Sequence, residues 1–405
     1  MKDLYKDIGS FMIRTPGLPI NLLTDNIENA TNIDHTMFLF DCPQYKDQFN
    51  EAIFVASQDL YESMQHYIED GTARDTNYLL NSIYKYFSRS CSRCTPFGLF
   101  STVAFGNITS DRTSFELSSA ELKRNPLIDS EWLYQVVFLY ETKYLKSLRY
   151  TINESVAIQR NKAILFNCTK DSDGGKVNKK SVKYSNAFEI VLRISGDYVS
   201  YSDIIENLKI EYPNVEENTF HIYIQSLIKE GYLISDLRPP LTIVDQFQYF
   251  ICKLQEYDIN TKSLVDIKNQ IQEYSIGHKK NTIESLTQIF KNMKRIYNSK
   301  NYLTIDSSIS YSQCNLNQNE IKKINKLLNL FIQFNIKEPF NSLNDYKNKF
   351  LEKYGLSRCV PLTELIDPDI GIGFPAHYDG KNGMSNFGEY INPGYDFLKE
   401  NMLIP

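Results

Sequence analysis

Residues 89–100 read RSCSRCTPFGLF, and this stretch joins two different local patterns. Before it, apolar residues recur at helical spacing: Leu79, Leu80, Ile83 and Phe87. Within it, Pro96 and Gly98 are poor residues for a continuing helix. The segment 99–105, which begins with the last two residues of this stretch, reads LFSTVAF and is typical of a strand. The stretch therefore predicts a helix that ends near Thr95 and a strand that begins soon afterwards.

The first 150 residues are predicted to be a mixed α+β domain built around that transition. Apolar residues at helical spacing also cover residues 48–70, and Gly71 supplies a helix stop. Both helices therefore precede the predicted strand, and the fold class of the whole chain is predicted to be α+β.

Residues 151–240 follow another pattern and are predicted to form an inserted module. Strand patterns cover residues 156–166 and 183–194, with a polar turn at 171–176 between them. Two amphipathic helices follow, the first with Ile204, Ile205 and Leu208, the second with Phe220, Ile224, Leu227 and Ile228. Gly231 closes the second helix, and a strand resumes at residues 232–234. This order of elements predicts a winged-helix-like module.

A winged helix commonly binds DNA through its second helix. Here residues 216–230 contain Glu216, Glu217 and Glu230 against the single Lys229, so this face would repel phosphate. A peptide can instead bind along a sheet edge, because main-chain hydrogen bonds supply affinity without a basic surface. Peptide recognition is therefore favoured, and a purely structural module is the alternative.

Residues 241–405 are predicted to be mainly helical. Helical patterns include residues 250–254, 283–296 and 321–331, and a short strand at 302–305 precedes Asp306. Prolines and glycines mark an irregular segment near the end: Pro368, Gly371, Gly373 and Pro375. Residues 378–405 have little periodicity.

Composition narrows the class of protein. Apolar segments such as residues 136–140 are far too short to span a bilayer, so a soluble cytoplasmic protein is expected. The formal net charge of −5 argues against a surface devoted to nucleic acid, although it permits a local basic patch. The 7 cysteines show no repeated spacing, which favours reduced thiols over a disulfide scaffold.

Cys91 and Cys94 form a C-x-x-C pair, which raises the possibilities of a zinc site or a redox pair. A structural zinc ion needs four ligands, and neither a second C-x-x-C nor a pair of histidines occurs in the sequence. A redox pair would be expected at the start of a helix, whereas this pair follows a helical pattern. The two cysteines are therefore predicted to be incidental, with no metal bound.

Arg89 and Arg93 are four residues apart, so in a last helical turn both guanidinium groups would project from one face. Cations at a helix C-terminus can simply complement the helix dipole. An arginine pair also suits a phosphate or a carboxylate, which guanidinium binds with two parallel hydrogen bonds. The residues alone leave both interpretations open.

The stretch resembles the signature R-x-x-x-R-x-T-P-F-G-L-F of the N-terminal region of class I lanthipeptide (lantibiotic) dehydratases. Eight positions match: Arg89, Arg93, Thr95, Pro96, Phe97, Gly98, Leu99 and Phe100. Further stretches agree in order: RTP at residues 14–16, DSEWL at 129–133, ID at 305–306, VPL at 360–362 and GIGFP at 371–375. The likeness covers about residues 10–375 and is expected to fade after Pro375.

The resemblance implies an enzyme that takes glutamate from glutamyl-tRNA, esterifies Ser and Thr hydroxyls of a lanthipeptide precursor, and then eliminates glutamate. It implies no cofactor beyond glutamyl-tRNA as co-substrate. The family's glutamylation residues carry over onto Arg14, Arg89, Arg93, Thr95, Asp129 and Asp306. The family's leader-peptide recognition module is similar to residues 151–240, which would divide the glutamylation domain into parts at 1–150 and 241–405.

The chemistry suits such residues. An aminoacyl ester is already activated, so a hydroxyl can attack it if the site supplies positioning, a base and charge stabilisation. Arginines can hold terminal phosphates or the glutamate carboxylate. Asp129 or Asp306 could accept the hydroxyl proton or orient an arginine, and the sequence does not separate these roles.

Members of that family are far longer than this chain, which implies a truncated glutamylation region without the elimination domain and an impaired or partial activity. Two alternatives stay open: a peptide aminoacyl-tRNA ligase and a non-catalytic leader-peptide-binding protein. The resemblance also implies partners, which are a cyclase, a membrane transporter or a separate polypeptide that carries the missing domains. Through such a complex a cytoplasmic protein could lie peripherally at the membrane.

Overall fold

The computed structural model describes residues 5–28, 43–118, 122–159, 161–168, 177–276, 282–334 and 341–375. The chain divides into two compact units, each of which is described by itself. One unit, called here the sheet unit, comprises residues 6–149 and 235–322. The other, called here the second unit, comprises residues 1–5, 150–234 and 323–405.

The sheet unit contains six strands and eight helices among its described residues. Its strands are β1 (Ser10–Pro16), β2 (Ser101–Thr109), β3 (Ser114–Leu117), β4 (Lys123–Ile128), β11 (Leu303–Ser308) and β12 (Tyr311–Asn317). Its helices are α1 (Asn21–Glu28), α2 (Pro43–Ala56), α3 (Gln58–Asp70), α4 (Thr76–Ser92), α5 (Ser130–Tyr144), α9 (Gln246–Glu256), α10 (Lys262–Ile276) and α11 (Thr282–Ile296).

The six strands form one mixed sheet with β2 near its centre. Strand β1 pairs antiparallel with β2 along its whole length, from Ser10↔Asn107 to Pro16↔Ser101. On its other side, β2 pairs in parallel first with β11 and then with β12, which follow each other in the chain. Strands β4 and β3 pair antiparallel with β11 and β12 respectively. The sheet therefore has β1 on one side and β3 with β4 on the other.

The strand register shows that one face of the sheet carries buried residues and the other carries exposed ones. One cross-strand row contains Thr15, Thr102, Ser307 and Arg124, of which Thr102 and Ser307 are buried. Side chains alternate between the two faces along a strand, so the neighbouring residues lie on the other face. That outer face carries several exposed apolar residues, namely Met12, Phe105 and Leu127.

A buried ionic network lies under the inner face and ties α2, β4 and α10 together. Glu51 is 2% exposed and accepts two hydrogen bonds from Arg124, from Nε at 2.6 Å and from Nη2 at 2.7 Å. The Tyr274 hydroxyl donates to Glu51 Oε1 at 2.7 Å. The hydrogen bond with Glu51 raises the pKa of Arg124 above its usual range. Burial, followed by the Glu51 charge, raises the pKa of Tyr274.

The predicted helix at 48–70 is two helices. Ser57 interrupts it, because its side chain accepts the Leu60 N–H and so caps the start of α3. Gly71 ends α3 in the left-handed region with φ of 67°, as the sequence predicted. Helix α4 confirms the second predicted helix and begins at the capping residue Asp75.

The second unit contains two small sheets and several helices. Its strands are β5 (Arg149–Ile152), β6 (Val156–Gln159), β7 (Lys162–Cys168), β8 (Val177–Lys183), β9 (Val199–Ser200) and β10 (Leu233–Ser235), of which β5 and β10 cross the unit boundary. Its helices are α6 (Asn186–Ile194), α7 (Tyr201–Glu211), α8 (Glu217–Glu230), α12 (Gln318–Phe334), α13 (Asn341–Tyr354) and α14 (Leu362–Leu365). The strand orders are β10-β5-β9 and β6-β7-β8.

The prediction of a strand at residues 183–194 is wrong. Helix α6 covers residues 186–194, and Ser185 caps it by accepting the Phe188 N–H. Phe188, Ile190 and Val191 are buried, and Phe188 packs edge-on against Tyr232 with ring centroids 5.7 Å apart. These aromatic and β-branched residues suggest a strand locally, but tertiary packing and the cap favour a helix.

The strand predicted at 156–166 is instead the hairpin of β6 and β7, whose turn includes Asn161 with φ of 64°. The turn predicted at 171–176 lies outside the described residues. Helices α7 and α8 confirm the two predicted amphipathic helices, and β10 confirms the strand predicted after them. Gly231 ends α8 with φ of 86°.

Three features of the region 241–322 were not predicted in full. Helix α10 and strand β12 were missed, and Asp306 lies inside β11 rather than after it. Helices α9, α11 and α12 confirm the other patterns. Within the described ranges, no helix is long and apolar enough to cross a membrane.

Candidate functional site

Four strands, β1, β2, β4 and β11, reach one end of the sheet in the sheet unit, and their termini are staggered. Strand β2 begins and β1 ends beside Asp306 of β11, whereas β11 begins and β4 ends about three residues, or roughly 10 Å, farther along in the same direction. The predicted site residues belong to these four strand ends and to the segment that precedes β2. The fold therefore places Arg14 and Asp306 near the start of β2 and Asp129 about four residues farther out, whereas Arg89, Arg93 and Thr95 lie in α4 and in the loop before β2.

The segment between α4 and β2, residues 93–100, forms a loop anchored by one serine. Helix α4 ends at Ser92, and Arg93 is its cap, extended at φ −109° and ψ 121°. The prediction that both arginines lie within the last helical turn is therefore wrong for Arg93. The buried Ser101 hydroxyl donates to the Thr95 carbonyl at 2.8 Å and accepts the Phe97 N–H at 3.2 Å.

Two glycines allow this loop to meet strand β1. Gly98 adopts φ of 56°, a left-handed conformation that other residues rarely adopt. Gly17, directly after β1, donates its N–H to the Phe100 carbonyl at 2.9 Å, and a Cβ at Gly17 would lie 3.1 Å from that carbonyl oxygen. Leu18 N–H donates to the Ser90 carbonyl at 2.9 Å. The end of β1 is thereby fixed against the end of α4.

Arg89 is half-buried and lies against an aromatic ring. Its guanidinium carbon is 4.6 Å from the centroid of the Phe97 ring, within the range of a cation–π contact. Its Nε is buried without a hydrogen-bond partner among the described residues. Arg93 and Thr95, in contrast, are exposed at the surface.

Arg14 and Asp306 both lie on the outer face of the sheet and are exposed. Arg14 pairs across β2 with Val103, which pairs in turn with Ser308 on β11, two residues after Asp306. The two strands that carry Arg14 and Asp306 are therefore separated by one strand, or about 10 Å in the plane of the sheet. A ligand on this face could reach both side chains.

Asp129 has a clear local role. It follows β4 and caps α5, with its Oδ1 accepting N–H groups of Glu131 at 2.9 Å and Trp132 at 3.3 Å. Its own N–H donates to the Tyr302 carbonyl at 2.9 Å. The two hydrogen bonds that Oδ1 accepts orient the carboxylate toward the helix. Asp306 is therefore the less constrained of the two predicted carboxylates.

The six side chains form no hydrogen bond or ion pair with one another within the parts of the chain that the structure describes. Each of the three guanidinium groups can bind an anion, and Asp306 can accept a proton or orient an arginine. A groove of about 360 Å³, lined by residues such as Gln270 and Gln288, lies between α10 and α11 and includes none of the six predicted site residues.

Sequence reasoning assigned no supporting role to the neighbours of the predicted site residues. Asn125 is the cross-strand partner of Asp306, and its amide donates to the Ser308 hydroxyl at 3.1 Å. Ser101 holds the loop, and Phe97 holds Arg89. Phe97 and Ser101 lie in or directly after the 89–100 stretch, which is the one signal that could have identified them.

Cys91 and Cys94 have different surroundings. Cys91 lies on the buried side of α4 and is 1% exposed. Burial raises the pKa of its thiol to about 12. Such a thiol stays protonated and is a poor metal ligand or nucleophile. Cys94 is exposed in the loop. Among the described residues, no cluster of His, Cys, Asp and Glu could hold a metal ion.

We predict that the double variant Cys91→Ser and Cys94→Ser stays folded. A serine at position 91 can donate to the carbonyl four residues earlier, as Ser90 and Ser92 do, so the cost should be about 1 kcal/mol. Thermal unfolding measures this cost, and elemental analysis measures zinc. Stoichiometric zinc in the parent protein that disappears in the double variant would contradict the prediction.

Comparison with known proteins identifies the family. The family model for the lantibiotic dehydratase N terminus matches residues 46–393. This chain belongs to the lantibiotic dehydratase family. The match covers most of the chain, including the 89–100 stretch and the strands β2, β4 and β11.

Curated relatives of this chain are lantibiotic biosynthesis proteins. The subtilin biosynthesis protein SpaB of Bacillus subtilis is 30% identical over 408 residues, an alignment that covers 97% of this chain and 38% of the relative. The nisin biosynthesis protein NisB of Lactococcus lactis subsp. lactis is 32% identical over 82% of this chain and 33% of the relative. The chain thus spans well under half the length of these relatives.

Solved structures share the fold at lower identity. The tRNA-dependent lantibiotic dehydratase MibB from Microbispora sp. 107891 superposes with a TM-score of 0.74 at 19% identity, over 91% of this chain and 35% of that chain. The glutamylation domain of TbtB, from thiomuracin biosynthesis, superposes with a TM-score of 0.50 at 14% identity over 75% of this chain and 36% of that chain. Both likenesses support a mixed α+β fold.

The expectation that the likeness fades after Pro375 is wrong. The family match continues to residue 393, and the alignment with the epidermin biosynthesis protein EpiB of Staphylococcus epidermidis covers 100% of this chain. Glycine-rich and aperiodic sequence at 371–393 carries few apolar anchors, which explains why short motifs alone did not extend the resemblance.

Proposed function

We propose that this dehydratase chain provides the first part of a domain that transfers glutamate from glutamyl-tRNA to Ser and Thr hydroxyls of a lanthipeptide precursor. The observation that carries the proposal is that Arg14, Arg89, Arg93, Thr95 and Asp306 belong to β1, β11, α4 and the loop before β2, which reach one end of the sheet in a member of this family. In this proposal residues 1–150 and 241–405 belong to the glutamylation domain, and residues 151–240 recognise the peptide.

The proposed roles follow from the chemistry of the residues. The arginines bind the acceptor-end phosphates or the glutamate carboxylate, which positions the activated ester beside the peptide hydroxyl. Asp306 accepts the hydroxyl proton as the hydroxyl oxygen attacks the ester carbonyl, and the tRNA ribose oxygen leaves. Asp129 acts mainly by fixing the start of α5. Cationic groups near the ester stabilise the charge that develops on its carbonyl oxygen.

The rest of the site is proposed to come from polypeptide that corresponds to the uncovered part of the relatives. The outer sheet face, which carries Arg14 and Asp306, also exposes Phe105 by 77% and Leu127 by 57%. Exposed apolar residues around polar site residues are typical of a surface that another part of a protein covers. A cyclase and a membrane transporter are further proposed partners, on the family resemblance alone.

The test is to incubate the chain with precursor, tRNA, glutamate, ATP and glutamyl-tRNA synthetase, and then to measure intact peptide mass. Glutamyl adducts on Ser or Thr support the proposal, whether the chain acts alone or needs polypeptide for the uncovered part. A residue added at the peptide's end would indicate the ligase alternative. An unchanged peptide in both settings would refute glutamyl transfer and leave peptide binding.

The second part of the proposal is that the segment 151–240 binds a leader peptide as an added strand. In the sheet β6-β7-β8, the described pairing of β6 and of β8 is with β7 alone, so each offers an edge. Helix α8 begins after Glu216 and ends at Glu230, and this acidic helix disfavours a phosphate ligand. Main-chain hydrogen bonds at an edge would supply affinity.

We predict that isothermal titration with the leader of its precursor peptide gives binding with only weak salt dependence, because the interaction is mainly main-chain hydrogen bonding. A scrambled leader of the same composition is the control. Absence of heat at high micromolar concentration would contradict the prediction. A steep loss of affinity with salt would point instead to a phosphate ligand.

A further inference from the structure

The Arg89 guanidinium rests on an aromatic cluster that the sequence did not reveal. Phe97 lies 5.8 Å from Phe100 with an angle of 13° between the rings, and Tyr86 lies 5.1 Å from Phe100 at 26°. Phe100 is 1% exposed, which fixes the cluster to the core of the sheet unit. Stacking on Phe100 therefore holds the Phe97 ring in one orientation.

Phe97 itself is 44% exposed, so burying its ring is not its main contribution. Its backbone is also fixed, because its N–H donates to the Ser101 hydroxyl and its carbonyl accepts the Phe100 N–H at 3.2 Å. The Ser101 carbonyl in turn accepts the Ser307 hydroxyl at 2.7 Å, directly beside Asp306. An exposed ring on such a rigid support is suited to orient a neighbour.

Arg89 is the neighbour that the ring can orient. Among the described residues its guanidinium has no carboxylate within ion-pair distance, and its buried Nε lacks an acceptor. A half-buried cation without a counter-ion is costly unless an anionic ligand completes its surroundings. With Nε covered, the two terminal amino groups are the donors that a ligand can reach, and their fork matches a carboxylate or a phosphate.

We propose that Phe97 is a positioning residue that holds the Arg89 guanidinium flat for an anionic group, the carboxylate of an aminoacyl moiety or a phosphate. The inference deepens the proposed glutamyl transfer and rests on it for the identity of the ligand, but the contact itself does not depend on it. The Arg89 and Phe97 side chains then act as one unit, in which the ring limits the motion of the guanidinium and the guanidinium binds.

The test uses the full chain labelled with nitrogen-15 in its arginines. A guanidinium held over a ring has its Nε–H proton resonance moved upfield by the ring current, and Arg89→Lys identifies the signal by removing it. We expect the upfield position in the parent protein and in Phe97→Tyr, and its loss in Phe97→Leu. Phe115→Leu is the matched control, because Phe115 is 46% exposed and lies on β3.

Titration with inorganic phosphate and, separately, with glutamate then distinguishes the two sources of the anion. The anion that moves the Arg89 signal should bind about tenfold more weakly to Phe97→Leu, the usual size of a cation–π contribution, and normally to Phe97→Tyr. An Arg89 signal that is not upfield in the parent protein overturns the inference even if Phe97→Leu fails to fold. So does equal anion affinity in Phe97→Leu and the parent protein. Absence of glutamyl adducts with these signals intact would count against the proposed function alone.

Discussion

Replacing Arg93 with alanine is expected to lower glutamyl-adduct formation by at least a hundredfold. Arg93 is exposed as the cap of α4, beside Thr95 and at the same sheet end as Arg14 and Asp306. Within the described ranges its side chain forms no hydrogen bond or ion pair, so it can bind a ligand, and removing one charge-stabilising donor from an active site commonly costs about 10²–10³ in rate. The rate of adduct formation, measured by intact mass against time, checks this expectation.

Arg112→Ala is the matched control, because Arg112 is an exposed arginine of the β2–β3 connection in the same unit. It should leave both the rate and the thermal unfolding unchanged. Arg93→Lys separates charge from geometry, since lysine keeps the charge and lacks the planar fork. Equal activity of Arg93→Ala and the parent protein would remove Arg93 from the site.

Replacing Glu51 with alanine is expected to lower the free energy of unfolding by about 3–5 kcal/mol. The variant leaves Arg124 without its bidentate partner and leaves the Tyr274 hydroxyl without its acceptor, in a position where Glu51 is almost fully buried. Breaking a buried pair by removing one partner commonly costs this much, because the remaining charge loses its bidentate partner. Urea unfolding followed by circular dichroism measures the change.

Glu256→Ala is the control for the Glu51 variant. Its carboxylate pairs with Lys253 at 2.7 Å, but its side chain is 59% exposed, so its loss should cost about 1 kcal/mol or less. A similar small loss for Glu51→Ala would mean that Arg124 finds another partner in the variant. That result would contradict the assignment of this network as the main link between α2, β4 and α10.

The sequence predicted local elements best where caps and apolar spacing agree. Helix α4 and the left-handed glycine at the end of α8 are examples. It failed at α6, where aromatic and β-branched residues favour a strand locally and the Ser185 cap was overlooked. Strand β12 was missed because polar residues interrupt its alternation.

The relative positions of the candidate site residues could not be predicted from local sequence patterns. It depends on parallel pairing of β2 with β11, in which Thr102 aligns with Ser307 across about two hundred residues of sequence. The family resemblance supplied the residues without their arrangement. Asp129 illustrates the difference, because a residue carried over from the family signature is also a helix cap with two backbone partners.

Single-turnover transfer of glutamate from purified glutamyl-tRNA tests whether this chain supplies part of a glutamyl-transfer site. The assay combines the chain, a polypeptide for the uncovered part of the SpaB relative, and precursor peptide, and follows radiolabelled glutamate from tRNA ester to peptide ester. The account predicts transfer with the parent chain and its loss with Arg93→Ala. Transfer at the same rate when the chain is omitted, or with Arg93→Ala, would contradict it.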